Sequence, residues 1–140
     1  MSANPIKEKI SHIPKGFTSI TPYFIVSDAI IFSNFLHNAF QAEIIEEHFE
    51  NDVLVHGAYR IFDSVIEASQ SRGEFPPIKM SIHLYVPDCD ASYRMAIEAG
   101  GKSIYEVSDM PYGERSGGIE DPCGNSWWIA TQQTEMYSIK

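Results

Sequence analysis

Two imidazoles, one carboxylate and a set of aromatic rings stand on stretches of this chain that alternate like strands, and they are the side chains able to do chemistry. His56, Glu67 and His83 form a donor set that can hold a divalent ion (Zn, Ni, Mn or Fe) with open positions. They can equally run proton transfer, with Glu67 as base and a histidine as acid. A plainer outcome is a hydrogen-bonded His–Glu pair that only orients the wall of a cleft. Tyr23, Tyr85 and Trp128 carry flat apolar faces with polar edges, suited either to a planar or cationic ligand or to core packing. Arg60 can meet an anionic ligand or neutralise Glu67. The run Met110–Gly118 (MPYGERSGG) reads as a glycine-rich loop carrying Tyr112 and Arg115, able to cover a cleft. A loop arginine also commonly pairs with a neighbouring acid, here Glu114.

These residues need elements to position them, and the pattern supplies the same elements twice. Phe17 to Val26 is rich in β-branched and aromatic residues and predicts a strand. Ser27-Asp28 caps a helix over Ala29 to Phe40, with Phe32, Phe35, Leu36 and Ala39 at helical spacing. Glu43 to Glu50, Val53 to Ile61 and Ser64 to Ala68 follow as three strands, parted by turns at Asn51-Asp52 and Phe62-Asp63. Ser69 to Pro77 then joins the halves. Lys79 to Val86 restarts the pattern, with a helix from about Asp90 to Ala99 stopped by Gly100-Gly101. Lys102 to Val107, Gly117 to Glu120 and Ser126 to Thr131 supply three more strands. FIVSDA in the first half answers LYVPDCDA in the second, with Asp28 and Asp88 60 residues apart. The shared order of elements argues for duplication.

VxD opening a helix in each half, AFQAE at the end of the first helix, YGERSGG, and DPCGNSWWIAT together resemble the vicinal oxygen chelate superfamily, in its glyoxalase/bleomycin-resistance-like subgroup. The likeness covers about Phe17 to Gln132. It implies an α+β fold of two tandem βαβββ modules forming a cup-shaped mixed sheet, with helices on the convex side and pairing into a homodimer. The expected layout is an arm over 1–15, one domain over 16–132 (modules 16–70 and 78–132) and a tail over 133–140. Gln41 departs from the subgroup, which usually has glycine at that helix end.

Period-two alternation sorts the strand faces. Thr21, Tyr23 and Ile25 fall opposite Phe24 and Val26, and Ser81, His83 and Tyr85 fall opposite Ile82, Leu84 and Val86. The resemblance places His56, Ala58 and Arg60 in the cup, with Val65, Glu67, Trp128 and Ala130. If Phe62-Asp63 is a two-residue turn, Ala58 pairs with Glu67 and His56 becomes its diagonal neighbour. The resemblance also implies four metal positions, which fall on Thr21, Glu67, Ser81 and Trp128. Only Glu67 is a competent ligand there, so the usual metal site is expected to be absent.

A chain of 140 residues that is 44% hydrophobic suffices for one buried core but not for two ordinary domains. The formal charge of -9 disfavours nucleic acid as a partner and tolerates cations. No apolar run reaches the roughly 20 residues of a membrane helix, and Met1 to Lys15 lacks an h-region, so cytoplasm is expected. Cys89 and Cys123 fit no CxxC pattern and read as two buried or half-buried thiols, with a disulfide or metal role as the alternative. There is no phosphate-binding loop, GxSxG elbow or HExxH. The expectation is therefore a small-molecule-binding protein for an aromatic or cationic compound. The alternative is a metal-dependent or acid–base lyase, isomerase or dioxygenase using His56, Glu67 and His83.

Overall fold

The computed structural model describes residues 9–137, so the first eight residues of the expected arm and the last three of the tail lie outside the described residues. The chain runs β1 (Tyr23–Val26), α1 (Ala29–Phe40), β2 (Glu43–Glu50), β3 (Val53–Ile61), β4 (Ser64–Gln70), β5 (Ser81–Tyr85), α2 (Cys89–Glu98), β6 (Lys102–Asp109), β7 (Glu114–Glu120) and β8 (Ser126–Gln132). Two four-stranded sheets result, ordered β1-β4-β3-β2 and β5-β8-β7-β6. In each, the first strand runs parallel to the fourth, and the others are antiparallel. The two modules expected from the repeat are present, element for element.

The helix starts are built alike. Asp28 accepts from the Ile31 N–H at 3.0 Å and Asp88 from the Ala91 N–H at 3.2 Å, each satisfying an otherwise orphaned first-turn donor. α1 buries Phe32, Phe35, Leu36, Ala39 and Phe40. Its stop falls on Gln41, held at φ 54°, ψ 38° while its N–H caps the last carbonyls. The sheet faces beneath the two helices share a single core. Phe24 of β1 stacks on Trp127 of β8 with ring centroids 5.8 Å apart, and Phe40 lies 4.9 Å from the same indole. Each fully buried large side chain contributes about 1.5–3 kcal/mol, and this cluster ties module to module. The opposite face of each sheet is left uncovered by either helix.

Two local readings need correction. β1 begins at Tyr23 rather than Phe17, because Pro22 has no N–H for a ladder and the turn at Gly16 (φ 86°) directs Phe17–Pro22 elsewhere. The run ERSGG is not loop: β7 starts at Glu114 and pairs on both sides, with β6 and β8. The β3 faces expected from alternation hold over His56 to Ile61, and a bulge lies just before them. His48 faces His56 while Phe49 faces Leu54, so Val55 is an extra residue in a bulge. Leu54 is thereby turned into the core.

Candidate functional site

The open face of the first sheet carries the His–Glu pair expected from the turn at Phe62-Asp63. Ile61 pairs with Ser64 and Ala58 with Glu67, which makes His56 the diagonal neighbour of Glu67. Their side chains meet, His56 Nε2 to Glu67 Oε1 at 2.8 Å, each about one-third exposed. Tyr23 is the Cα partner of Glu67 across β1 and β4, and its ring lies 6.1 Å from that of His56. The segment before β1 lies over this face and leaves a cavity of about 650 Å³ lined by His12, Phe17, Thr21, Glu46, His56 and Glu67. A Cβ on Gly16 would come within 2.9 Å of an Arg60 guanidinium nitrogen, so Arg60 lies beneath that segment. Among the described residues Arg60 makes no ion pair.

The open face of the second sheet is richer in rings. His83 stacks on Tyr85 with centroids 4.5 Å apart. Trp128 stacks with Tyr105 at 6.0 Å, and its indole N–H donates to Ser81 Oγ at 2.6 Å. The two rings close over Gly118, where a Cβ would meet Tyr105 and Trp128 ring carbons at 2.8 and 2.9 Å, so only glycine fits. Below them on β7 is Glu114, 1% exposed. Its Oε1 has no hydrogen-bond partner among the described residues; His83 Nε2 lies 3.3 Å away. Its Oε2 accepts only a long contact, 3.5 Å, from the Tyr112 hydroxyl. Burial, and then the charge of Glu114, push the phenols of Tyr85 and Tyr112 up, so both stay protonated at neutral pH. A pocket of about 690 Å³ beside Tyr85 is also lined by Phe62, Asp63 and Tyr137.

The trio His56, Glu67 and His83 is thus split, with His83 next to Glu114 on the second sheet. Arg115 points to the helix side of β7. Its guanidinium donates twice to Asp90, at 2.8 and 3.0 Å, and to Asp109 at 3.1 Å, so its acids are those two rather than Glu114. Glu114 is the residue that the sequence reading missed as a site candidate. The glycines of ERSGG pointed to a loop; read as a strand, period-two alternation puts Glu114, Ser116 and Gly118 on the face of Trp128.

No protein-family model matches the chain. An uncharacterized protein of Mycobacterium bovis is 29% identical over 130 residues, spanning 84% of this chain and 86% of that one. Another, from Mycobacterium tuberculosis, is 29% identical over 84% of this chain and 76% of its own length. TioX from Micromonospora sp. ML1 superposes with a TM-score of 0.68 at 15% identity, over 86% of this chain and 100% of TioX. A glyoxalase-related enzyme from Fulvimarina pelagi gives 0.68 at 15% identity over 88% and 96%. TnmS3, an antibiotic-binding protein from Streptomyces sp. CB03234, gives 0.66 at 18% identity over 90% and 99%. The chain has the glyoxalase/bleomycin-resistance/dioxygenase fold. The four metal positions that the family resemblance implies fall on Thr21, Glu67, Ser81 and Trp128. Those residues do not fit a divalent ion: the Trp128 indole bonds Ser81 Oγ, and Glu67 is joined to His56. Among the described residues, no three His, Cys, Asp or Glu side chains form a group that could hold a metal. No helix among them is long and apolar enough to cross a membrane.

Proposed function

We propose that this protein binds a small organic molecule on the open faces of its sheets, and that it does so as a homodimer. The observation that carries this is the composition of those faces. Tyr23, His56 and Glu67 on one sheet, and His83, Tyr85, Glu114 and Trp128 on the other, combine ring surface with a few polar groups, the mix that small-molecule sites use. The fold likeness to TnmS3, described as an antibiotic-binding protein, agrees with a binding role. The homodimer is supported by large apolar side chains left exposed on the first sheet: Ile44, Ile45, Phe49 and Val53. A second copy would cover such a surface. The test is a thermal-shift screen of aromatic cations, neutral aromatics and aromatic anions, with sedimentation equilibrium on the same sample. A ligand at ten times its Kd adds about 1.4 kcal/mol, or roughly 4–5 °C in a domain of this size. A screen in which no compound raises Tm would sink the binding proposal, and a monomer at tens of micromolar would sink the homodimer.

A second reading has one specific support, the 2.8 Å His56–Glu67 contact facing the 650 Å³ cavity. There a carboxylate orienting an imidazole could move a proton on a bound carbonyl or phenolic compound. Turnover of such a compound that drops at least a hundredfold in Glu67→Gln, with KM little changed, would favour this enzyme. Unchanged turnover in the variant would refute it.

A further inference from the structure

We propose that the open face of the second sheet is a site for organic ammonium cations, with the buried Glu114 carboxylate as counter-charge and Tyr85 as the ring that the cation covers. This rests on the reading that the open faces bind a small molecule, and it names the charge class.

A carboxylate withdrawn from water is stable only when paired or well hydrogen-bonded. Among the described residues Glu114 is neither fully: Oε1 has no hydrogen-bond partner, and Oε2 has a single contact at 3.5 Å. Its one close polar neighbour at Oε1, His83 Nε2 at 3.3 Å, compensates charge only when the imidazole is protonated. The field of this carboxylate therefore reaches outward through the neighbouring rings. Tyr85 feels it directly, since Glu114 contributes to the rise of its phenol pKa.

The rings have the geometry to use that field. Tyr85, stacked on His83, is about half exposed, as is Phe62, and Tyr137 is more so. All three line the 690 Å³ pocket, together with the Asp63 carboxylate. Ring faces attract a cation through their quadrupole, while the Asp63 carboxylate in the lining, and Glu114 buried against the His83 that stacks on Tyr85, disfavour an anion. An ammonium carrying alkyl or aryl groups uses both features, whereas a bare metal ion would find only scattered single carboxylates. The formal charge of -9 adds long-range attraction for cations.

Benzyltrimethylammonium chloride, benzyl alcohol and sodium benzoate share a ring and differ in charge, and each is titrated into the ¹⁵N-labelled full-length chain under NMR. The cation is expected to give saturable shifts at Tyr85 and Gln132, which line the pocket, and benzoate none. Glu114→Gln should weaken the cation at least tenfold while leaving benzyl alcohol unaffected. If that variant fails to fold, Tyr85→Leu at its half-exposed position carries the same test. Saturable binding of benzoate or benzyl alcohol to this face without the cation overturns the proposal but leaves the small-molecule reading standing. Cation binding that Glu114→Gln, or Tyr85→Leu in its place, does not weaken also overturns it. No shift with any of the three overturns it too, and counts against the broader reading.

Discussion

Replacing Asp121 by alanine should destabilise the chain more than any other single change to an acidic residue. The carboxylate is 3% exposed and accepts from four N–H groups. Oδ1 takes the backbone N–H of Cys123 at 2.8 Å and of Asn125 at 3.0 Å, while Oδ2 takes Asn125 Nδ2 at 3.0 Å and the Trp127 indole at 2.8 Å. Asn125 and Trp127 are themselves buried, so water does not replace the lost acceptor at three of the four donors. Each orphaned buried donor costs about 1–3 kcal/mol, partly offset because a buried charge also disappears. The net loss should be about 3–5 kcal/mol, a large share of the roughly 5–15 kcal/mol of a typical domain, or roughly 10–15 °C in Tm. The loss extends beyond the turn, because Asn125 Oδ1 accepts from the Met80 N–H at 2.8 Å and so anchors the entry to β5. Urea unfolding followed by far-UV dichroism measures it, with an unchanged m-value required for the comparison. Asp121→Asn keeps one acceptor oxygen but turns an NH₂ toward other donors, so it should lose less, though more than about 1 kcal/mol. In a double-mutant cycle with Trp127→Phe the two changes should be non-additive by about 1–2 kcal/mol. A loss below 1 kcal/mol in Asp121→Ala, or full additivity in the cycle, would refute the reasoning.

The Tyr59 hydroxyl donates to Glu47 at 2.8 Å, and burial first, then Glu47, hold its phenol well above the ordinary value of 10.0. A group whose folded pKa is raised contributes stability below its unfolded pKa and loses it as pH climbs toward the folded one. Urea midpoints should therefore fall above about pH 10, and Tyr59→Phe should flatten that limb. Cys89 and Cys123 are free, and burial pushes both thiols up. Ellman's reagent at pH 7 should accordingly label neither rapidly in the native protein and both in urea. Gln41→Gly should stabilise by about 0.5–1 kcal/mol, since only glycine adopts φ 54° without strain; a lower urea midpoint would contradict this.

What was legible in the sequence follows from where each signal lives. The two Asp N-caps, the apolar stripe of α1 and the two-residue turn at Phe62-Asp63 are set by neighbours within a few residues, and all three are found in the structure. The His56–Glu67 contact followed from that turn alone, because a hairpin register is local. The Val55 bulge was not legible: it depends on how β2 pairs, and an extra residue leaves no mark in alternation. Glu114 was hidden for a different reason. Gly117-Gly118 looks like loop, but the glycines are there because Tyr93, Tyr105, Val107 and Trp128 crowd the two faces of β7. The partners of Arg115 could not be read at all, since Asp90 lies on a helix 25 residues away.

The same comparison separates scaffold from site. Positions 60 apart on the scaffold keep their character: Phe24 with Leu84 and Val26 with Val86 on the core side, and Asp28 with Asp88 as the helix N-caps. Positions on the open faces do not. Tyr23 answers His83, Ile25 answers Tyr85, and His56 answers Ser116, while by ladder register Glu67 stands where Trp128 does. Packing demands act alike on both modules, because both helices close over one core, and they hold the inward residues to one pattern. Nothing in packing requires the outward residues to diverge into a His–Glu pair on one sheet and a ring-covered carboxylate on the other. Under the proposed binding role, a divergence confined to the faces that the core does not use would favour a ligand with chemically different ends over one that reads the two modules alike.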